Sequence, residues 1–173
     1  GAFRQNSGNA DIIVTKLNSS GTSLLGSTYM GGSGSDGHNI DVASTHYFYA
    51  DDFRGEVNVD ETGNIFVATC SRSQDFPTSS RALYRLNQGI QDGVVFSLNS
   101  TLSAVRWSTY LGGLADDALY SVDVMSDGNL LVAGGTRSNL LPTGAGGLVT
   151  DLVGNVDGYL AIINANGSNI EHA

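Results

Sequence analysis

The chain has one cysteine, Cys70, so it can form neither an intrachain disulfide nor a cysteine-rich zinc cluster. It has two prolines and no three-residue glycine period, which excludes a collagen-like helix. Its only lysine is Lys16, and 8 basic residues stand against 17 acidic ones, for a formal net charge of −9. A chain this acidic lacks the electrostatic footprint for nucleic acid or anionic lipid. Charged residues make up 14%, against about 25% in ordinary domains, and Ala, Glu, Lys and Leu do not dominate, which excludes a coiled coil. No apolar run reaches the roughly 18 residues of a membrane helix, so membrane insertion is not expected. Residues 1–10 carry neither the charged nor the apolar region of a secretory leader. If the protein is exported, its leader is expected outside these residues.

Glycine, by contrast, is abundant, at 23 of 173 residues, about twice its usual share. Hydrophobic residues reach 40%, enough for a packed core. Ser, Thr, Asn and Asp crowd the remainder, a composition that suits strands joined by tight turns. Asp supplies 14 of the 17 acids. Asp-rich, Lys-poor turns fit an exported or calcium-tolerant protein better than a helical cytosolic enzyme.

The sequence repeats. Ser27-Thr28-Tyr29-Met30-Gly31-Gly32 returns as Ser108-Thr109-Tyr110-Leu111-Gly112-Gly113, and Asp11-Ile12-Ile13-Val14 as Asp92-Gly93-Val94-Val95, both at an offset of 81. Gly63-Asn64-Ile65-Phe66-Val67-Ala68 returns as Gly128-Asn129-Leu130-Leu131-Val132-Ala133, and Phe76-Pro77-Thr78 as Leu141-Pro142-Thr143, both at 65. The unit is therefore about 65 residues, and one copy carries 16 more, placed between Gly32 and Gly63 and centred on 43–55. Period-two alternation and β-branched enrichment predict four strands per unit. No segment shows a capped helical stripe, although 79–90 and 144–155 have room for a short helical turn. Four short strands repeated in sequence predict an all-β fold of propeller blades. The whole of 1–173 reads as about two and a half four-stranded antiparallel blades of a larger propeller. Residues 9–32 end one blade, 33–113 form a second with the insertion, and 114–173 form a third, truncated one.

These residues resemble the bacterial seven-bladed beta-propeller repeat family, abbreviated SBBP. Asp11–Asn18, Ser27–Gly32, Asp60–Ala68 and Asp75–Thr78 match its motifs in order. Asp92–Asn99, Ser108–Gly113, Asp127–Ala133 and Pro142–Thr143 match them again. The chain departs from the pattern at the insertion and at Cys70, which aligns with Gly135. The resemblance implies a large secreted or cell-surface bacterial protein, of a kind frequent in Bacteroidota and tied there to type IX secretion, gliding or adhesion. It carries over no catalytic residues.

In a propeller the strands run up and down alternately, so the long connections are expected to gather on one face. Long loops on a rigid scaffold are where binding residues usually sit. The insertion brings His46, Tyr47, Phe48, Tyr49, Asp51, Asp52, Phe53 and Arg54 together within a dozen residues. Such a set can stack on sugar rings or dock a protein. It can equally form a small hydrophobic cover over its own blade. Asp36, Asp116 and Asp117 follow the Gly-Gly turns and are candidate calcium ligands, since calcium takes six to eight oxygens. They also suit ordinary turn chemistry, and neither an EF-hand nor a Gly-Gly-x-Gly-x-Asp tandem is present. Gly31–Ser35 lacks the Gly-Lys-Ser/Thr of a phosphate loop. Cys70 reads as a small buried residue, and Tyr29, Trp107 and Tyr110 read as packing residues.

The expectation is a non-catalytic, extracellular or cell-surface scaffold for adhesion or for protein or glycan contact. No cofactor is expected beyond the calcium option. Its partners are other blades or domains of the same protein, together with a protein or glycan on the long-loop face. One alternative is a propeller polysaccharide hydrolase or lyase, and another is a purely structural spacer in a surface filament.

Overall fold

A computed structural model describes residues 8–39, 52–144 and 152–173. Among these residues there is no helix. The described residues form ten strands: β1 (Ile12–Leu17), β2 (Leu24–Met30), β3 (Glu56–Val59), β4 (Ile65–Ser71), β5 (Asp92–Leu98), β6 (Val105–Leu111), β7 (Asp117–Val124), β8 (Leu130–Thr136), β9 (Asp157–Ile163) and β10 (Ile170–His172). They make three antiparallel sheets, β1-β2, β3-β4-β5-β6 and β7-β8-β9-β10, each strand pairing with its sequence neighbour. This is the all-β arrangement of partial propeller blades. The repeat is visible in the register. β4 pairs with β5 from Ile65↔Leu98 to Ser71↔Asp92, and β8 pairs with β9 from Leu130↔Ile163 to Thr136↔Asp157.

The middle sheet is covered on both faces, so β4 and β5 are buried along their whole length. Alternation sends successive side chains to opposite cores. Ile65, Val67, Val94, Phe96, Leu98 and Tyr110 meet Met30, Ile12 and Val14 of the first sheet. Phe66, Ala68, Val95, Trp107 and Leu111 meet Leu119, Val122, Leu130, Val132 and Ile163 of the third. Each large side chain so buried contributes about 1.5–3 kcal/mol. Among the described residues, the outer sheets lack that second cover. Ile13 and Leu17 are 57% and 53% exposed, while their equivalents Val94 and Leu98 are 0% exposed.

The strands that open each complete sheet, β3 and β7, lie against one another. Glu56 Oε2 accepts from Val122 N at 2.9 Å and also from the Ser121 hydroxyl, and Asn58 Nδ2 donates to Asp123 Oδ1 at 2.9 Å. The turn after each of them needs a positive φ. Gly63 and Gly128 supply it at 82° and 83°, a region other residues enter only with strain.

Three sequence expectations change. Residues 79–90 hold no helix; they run down beside β6 and cap its edge. Ser79 N donates to Ser108 O at 3.0 Å, and Tyr110 N donates to Tyr84 O at 3.1 Å. An exposed strand edge invites foreign strands, and this loop shields it. Of 144–155, only 144 and 152–155 lie among the described residues, and they hold no helix. The connection through 79–90 is thus partly an edge cover rather than wholly a loop on one face. The insertion also sits differently. It interrupts the opening strand of the middle sheet instead of preceding it. Asp36 bridges Ser71 as Asp117 pairs with Thr136, and Glu56 pairs with Ala68 as Ser121 pairs with Ala133. The break falls where β7 has a bulge, between Leu119 and Ser121. A bulge already frees one residue from the ladder, so an insertion there costs the sheet little.

Candidate functional site

Two clusters lie where the sheets join at the insertion end. The first is a buried carboxylate frame, built alike at successive junctions. Asp36 Oδ2 accepts from Gly32 N at 2.8 Å and Ser73 Oγ at 2.7 Å, and Ser71 Oγ donates to its other oxygen. Asp117 Oδ2 accepts from Gly113 N at 2.7 Å and Ser138 Oγ at 2.8 Å. Both carboxyls therefore close the Gly-Gly turn and tie it to the neighbouring strand pair. Burial raises both above the ordinary carboxylate range, against the pull of those hydrogen bonds.

Each of these carboxylates faces a second one across a glycine. A Cβ on Gly112 would lie 2.7 Å from Asp92 Oδ1 and 2.9 Å from Asp117 Oδ2. A Cβ on Gly31 would collide with Asp11 Oδ1 and lie 2.9 Å from Asp36 Oδ2. Only glycine leaves room for the pair, which gives the Gly-Gly motif a second role beside the turn. Asp92 Oδ2 accepts from Gln88 N at 2.7 Å, while its buried Oδ1 has no hydrogen-bond partner. Burial first, and then repulsion from Asp117 and Asp116, push Asp92 up to about 7.

The second cluster is exposed and belongs to the insertion. Its two ends are joined, since Asn39 N donates to Asp52 O at 2.7 Å. The Asn39 side chain is buried and holds the base in place. Its Oδ1 accepts from Gln91 Nε2 at 2.7 Å, and its Nδ2 donates to Tyr120 OH at 3.2 Å. Arg54 places its guanidinium 5.2 Å from the centre of the Tyr120 ring, and its carbonyl accepts from Thr69 Oγ1 at 3.2 Å. Phe53 stacks on His38 with ring centres 4.2 Å apart and an interplanar angle of 8°. Phe53 is nonetheless 71% exposed. The cluster thus offers a fixed aromatic pair beside a cation, able to stack on a flat partner and to bond its polar rim.

Of the residues singled out from sequence, Asp52, Phe53 and Arg54 stand at this base. His46, Tyr47, Phe48, Tyr49 and Asp51 lie outside the described residues. Asp36 sits at one junction, and Asp116 and Asp117 at the next. Asp116 accepts from Arg137 N at 3.0 Å through its backbone carbonyl. Among the described residues, no three His, Cys, Asp or Glu side chains are grouped as a metal would require. Cys70 is buried, and burial pushes its thiol up to about 12, which matches a packing residue.

Sequence reasoning missed His38, Asn39 and Tyr120. The repeat offset brackets the insertion only between Gly32 and Gly63. The sheet register narrows the bracket, since Asp36 bridges Ser71 and Glu56 pairs with Ala68, and so brings His38 and Asn39 to its base. Tyr120 is the bulge residue of the uninterrupted copy. Asp11 and Asp92 stand out in sequence only as motif starts, although they recur at the same offset as Asp36 and Asp117. No protein-family model matches the chain, and no curated protein matches it.

Proposed function

We propose that the chain is a non-catalytic β-propeller scaffold whose insertion surface contacts a protein or glycan, within a secreted or cell-surface bacterial protein of adhesive role. The observation that carries this reading is the exposed Phe53 ring stacked on His38 above a base closed by the Asn39–Asp52 hydrogen bond. Recognition surfaces favour a rigid aromatic with a neighbouring Arg, because both give contact area at small entropic cost. Asp36 and Asp117 are engaged in closing turns, which supports a structural role for them over chemistry. The repeat motifs support kinship with the seven-bladed bacterial family, and hence the surface location. Further blades of the same protein are the partners that suit the outer sheet faces, where Ile13, Leu17 and Leu160 are exposed. The reading assigns no cofactor.

The test is a glycan array, together with a pull-down against candidate surface proteins, using the 173-residue chain. Phe53→Ala and Arg54→Ala are each expected to weaken whatever is bound by about tenfold, the equivalent of roughly 1.4 kcal/mol. A Tyr47→Ala, Tyr49→Ala pair extends the test into the rest of the insertion. Binding unaltered in all of these variants overturns the assignment of the surface.

A further inference from the structure

The two sheet junctions share their backbone frame down to single hydrogen bonds. Gly34 N donates to Ser73 Oγ at 2.9 Å, as Ala115 N does to Ser138 Oγ at 2.9 Å. Arg72 N donates to Ser35 O at 2.9 Å, as Arg137 N does to Asp116 O at 3.0 Å. Three solvent-facing positions differ. At the first junction Ser33 donates to Asp75 Oδ1 through its backbone N at 2.7 Å and through its hydroxyl at 2.9 Å. The same positions at the second junction, at offsets of 81 and 65, are Leu114 and Leu140, which are 80% and 73% exposed. Ile90 is 65% exposed and stands where the other two units have Asn9 and Asn155. The three lie side by side. A Cβ on Gly89 would collide with Ala115 O, and one on Gly113 with Leu140 O, so the segments that carry them touch through their backbones. The frame does not require apolar residues here, because the first junction keeps it with a polar pair. Apolar side chains grouped in water where the repeat otherwise places polar ones mark a contact surface.

We propose that Ile90, Leu114 and Leu140 form a docking patch for a protein segment that carries bulky apolar side chains on a basic background. This rests on the reading of the insertion surface as a recognition face, and it narrows the partner of that face from protein or glycan to protein. The patch continues the insertion surface. Ile90 precedes Gln91, whose Nε2 donates to Asn39 Oδ1 at the insertion base at 2.7 Å. Chemistry selects the occupant. A sugar is held by aromatic stacking and by hydrogen bonds to its hydroxyls, and Leu and Ile side chains supply neither. They supply the apolar centre of a protein–protein interface. A second copy of the chain is disfavoured, because each copy carries a formal net charge of −9 and the two repel. The same charge attracts a basic segment and steers its approach.

The experiment titrates the 173-residue chain with a labelled probe peptide of alternating Leu and Lys, and with a Ser-Lys peptide of equal length and charge. Saturable binding of the Leu-Lys peptide is expected, at least about tenfold tighter than that of the Ser-Lys peptide. The deciding variant is Leu114→Ser with Leu140→Asp, which rebuilds the Ser33–Asp75 pair in a frame already shown to hold it. A circular dichroism spectrum checks that the fold survives. The variant is more acidic, so attraction to charge alone would strengthen binding, whereas the patch predicts a loss of at least about tenfold. Ile90→Asn is expected to weaken binding in the same direction. Absence of saturable binding overturns the proposal, as does equal binding of the two peptides, or binding unchanged or strengthened in the double variant. The reading of the insertion surface fails separately, when its own binding is indifferent to Phe53→Ala; loss of the Leu-Lys peptide in the double variant alone would still support the patch.

Discussion

Tyr110→Ala is expected to unfold a large share of the molecules at room temperature. Tyr110 is 0% exposed and lies in the core between the first two sheets, edge-on to Phe76 with ring centres 5.9 Å apart. Removing a buried aromatic to alanine costs about 3–5 kcal/mol. That is a large fraction of the roughly 5–15 kcal/mol by which domains are stable. The hydroxyl adds a separate effect. It donates to Ser73 O at 2.5 Å and accepts from Phe76 N at 3.1 Å, so two buried backbone groups depend on it. Tyr110→Phe keeps the ring and strands those groups, at an expected cost of about 1–3 kcal/mol. Urea unfolding followed by Trp107 fluorescence measures both variants. A Tyr110→Phe midpoint equal to that of the unchanged chain would remove the hydroxyl from the account. A Tyr110→Ala loss no larger than the Tyr110→Phe loss would remove the ring.

The same tyrosine shows what made most of the fold legible. Ser108-Thr109-Tyr110 and Phe76-Pro77-Thr78, each one copy of a repeated motif, touch: the tyrosine hydroxyl of one accepts from the backbone of the other. Packing that repeats must write itself into residues that repeat, so the strands, their order and the core residues could be read from period and alternation. The insertion could not be placed so finely. By offset its extra residues lie anywhere between Gly32 and Gly63, and only the sheet register and the β7 bulge show where it leaves the ladder. The edge cover by Ser79 and Tyr84 was hidden for a different reason. Its bonds end on backbone groups, to which side-chain patterns are blind. The exposure of Val57 runs opposite to its pattern. The alternation says buried, and the side chain is exposed because no described strand covers it. The carboxylate pairs were the least legible part of the site. Asp92 and Asp117 are far apart in sequence, and they meet only where the third strand of one sheet abuts the first strand of the next.

That meeting predicts an unusual dependence of stability on pH. Asp92 rises from 3.8 unfolded to about 7 folded, so the folded chain holds a proton that the unfolded chain gives up. Its contribution is intact below about pH 4 and is lost as pH rises through about 7. Asp36 and Asp117, also raised by burial, act with the same sign. Glu56, Asp60 and Asp75 act with the opposite sign, and acid removes their benefit. At Glu56 and Asp75 hydrogen bonds hold the carboxyl low, and at Asp60 burial pulls upward but the bonds from Asn64 and Thr62 together outweigh it. The two trends together place maximum stability on the acid side of neutrality. At about 1.4 kcal/mol per unit of pKa, neutralising Asp92 is worth at most about 4 kcal/mol above pH 7. Asp92→Asn performs that neutralisation while keeping an oxygen for Gln88 N and placing a donor beside Asp117. Its melting temperature is expected to exceed that of the unchanged chain at about pH 8 and to match or fall below it at about pH 4. The slope between those values should flatten. A variant destabilised equally at both pH values would show instead that Asp92 is held as a charged acceptor, and the burial account of the pair would fail.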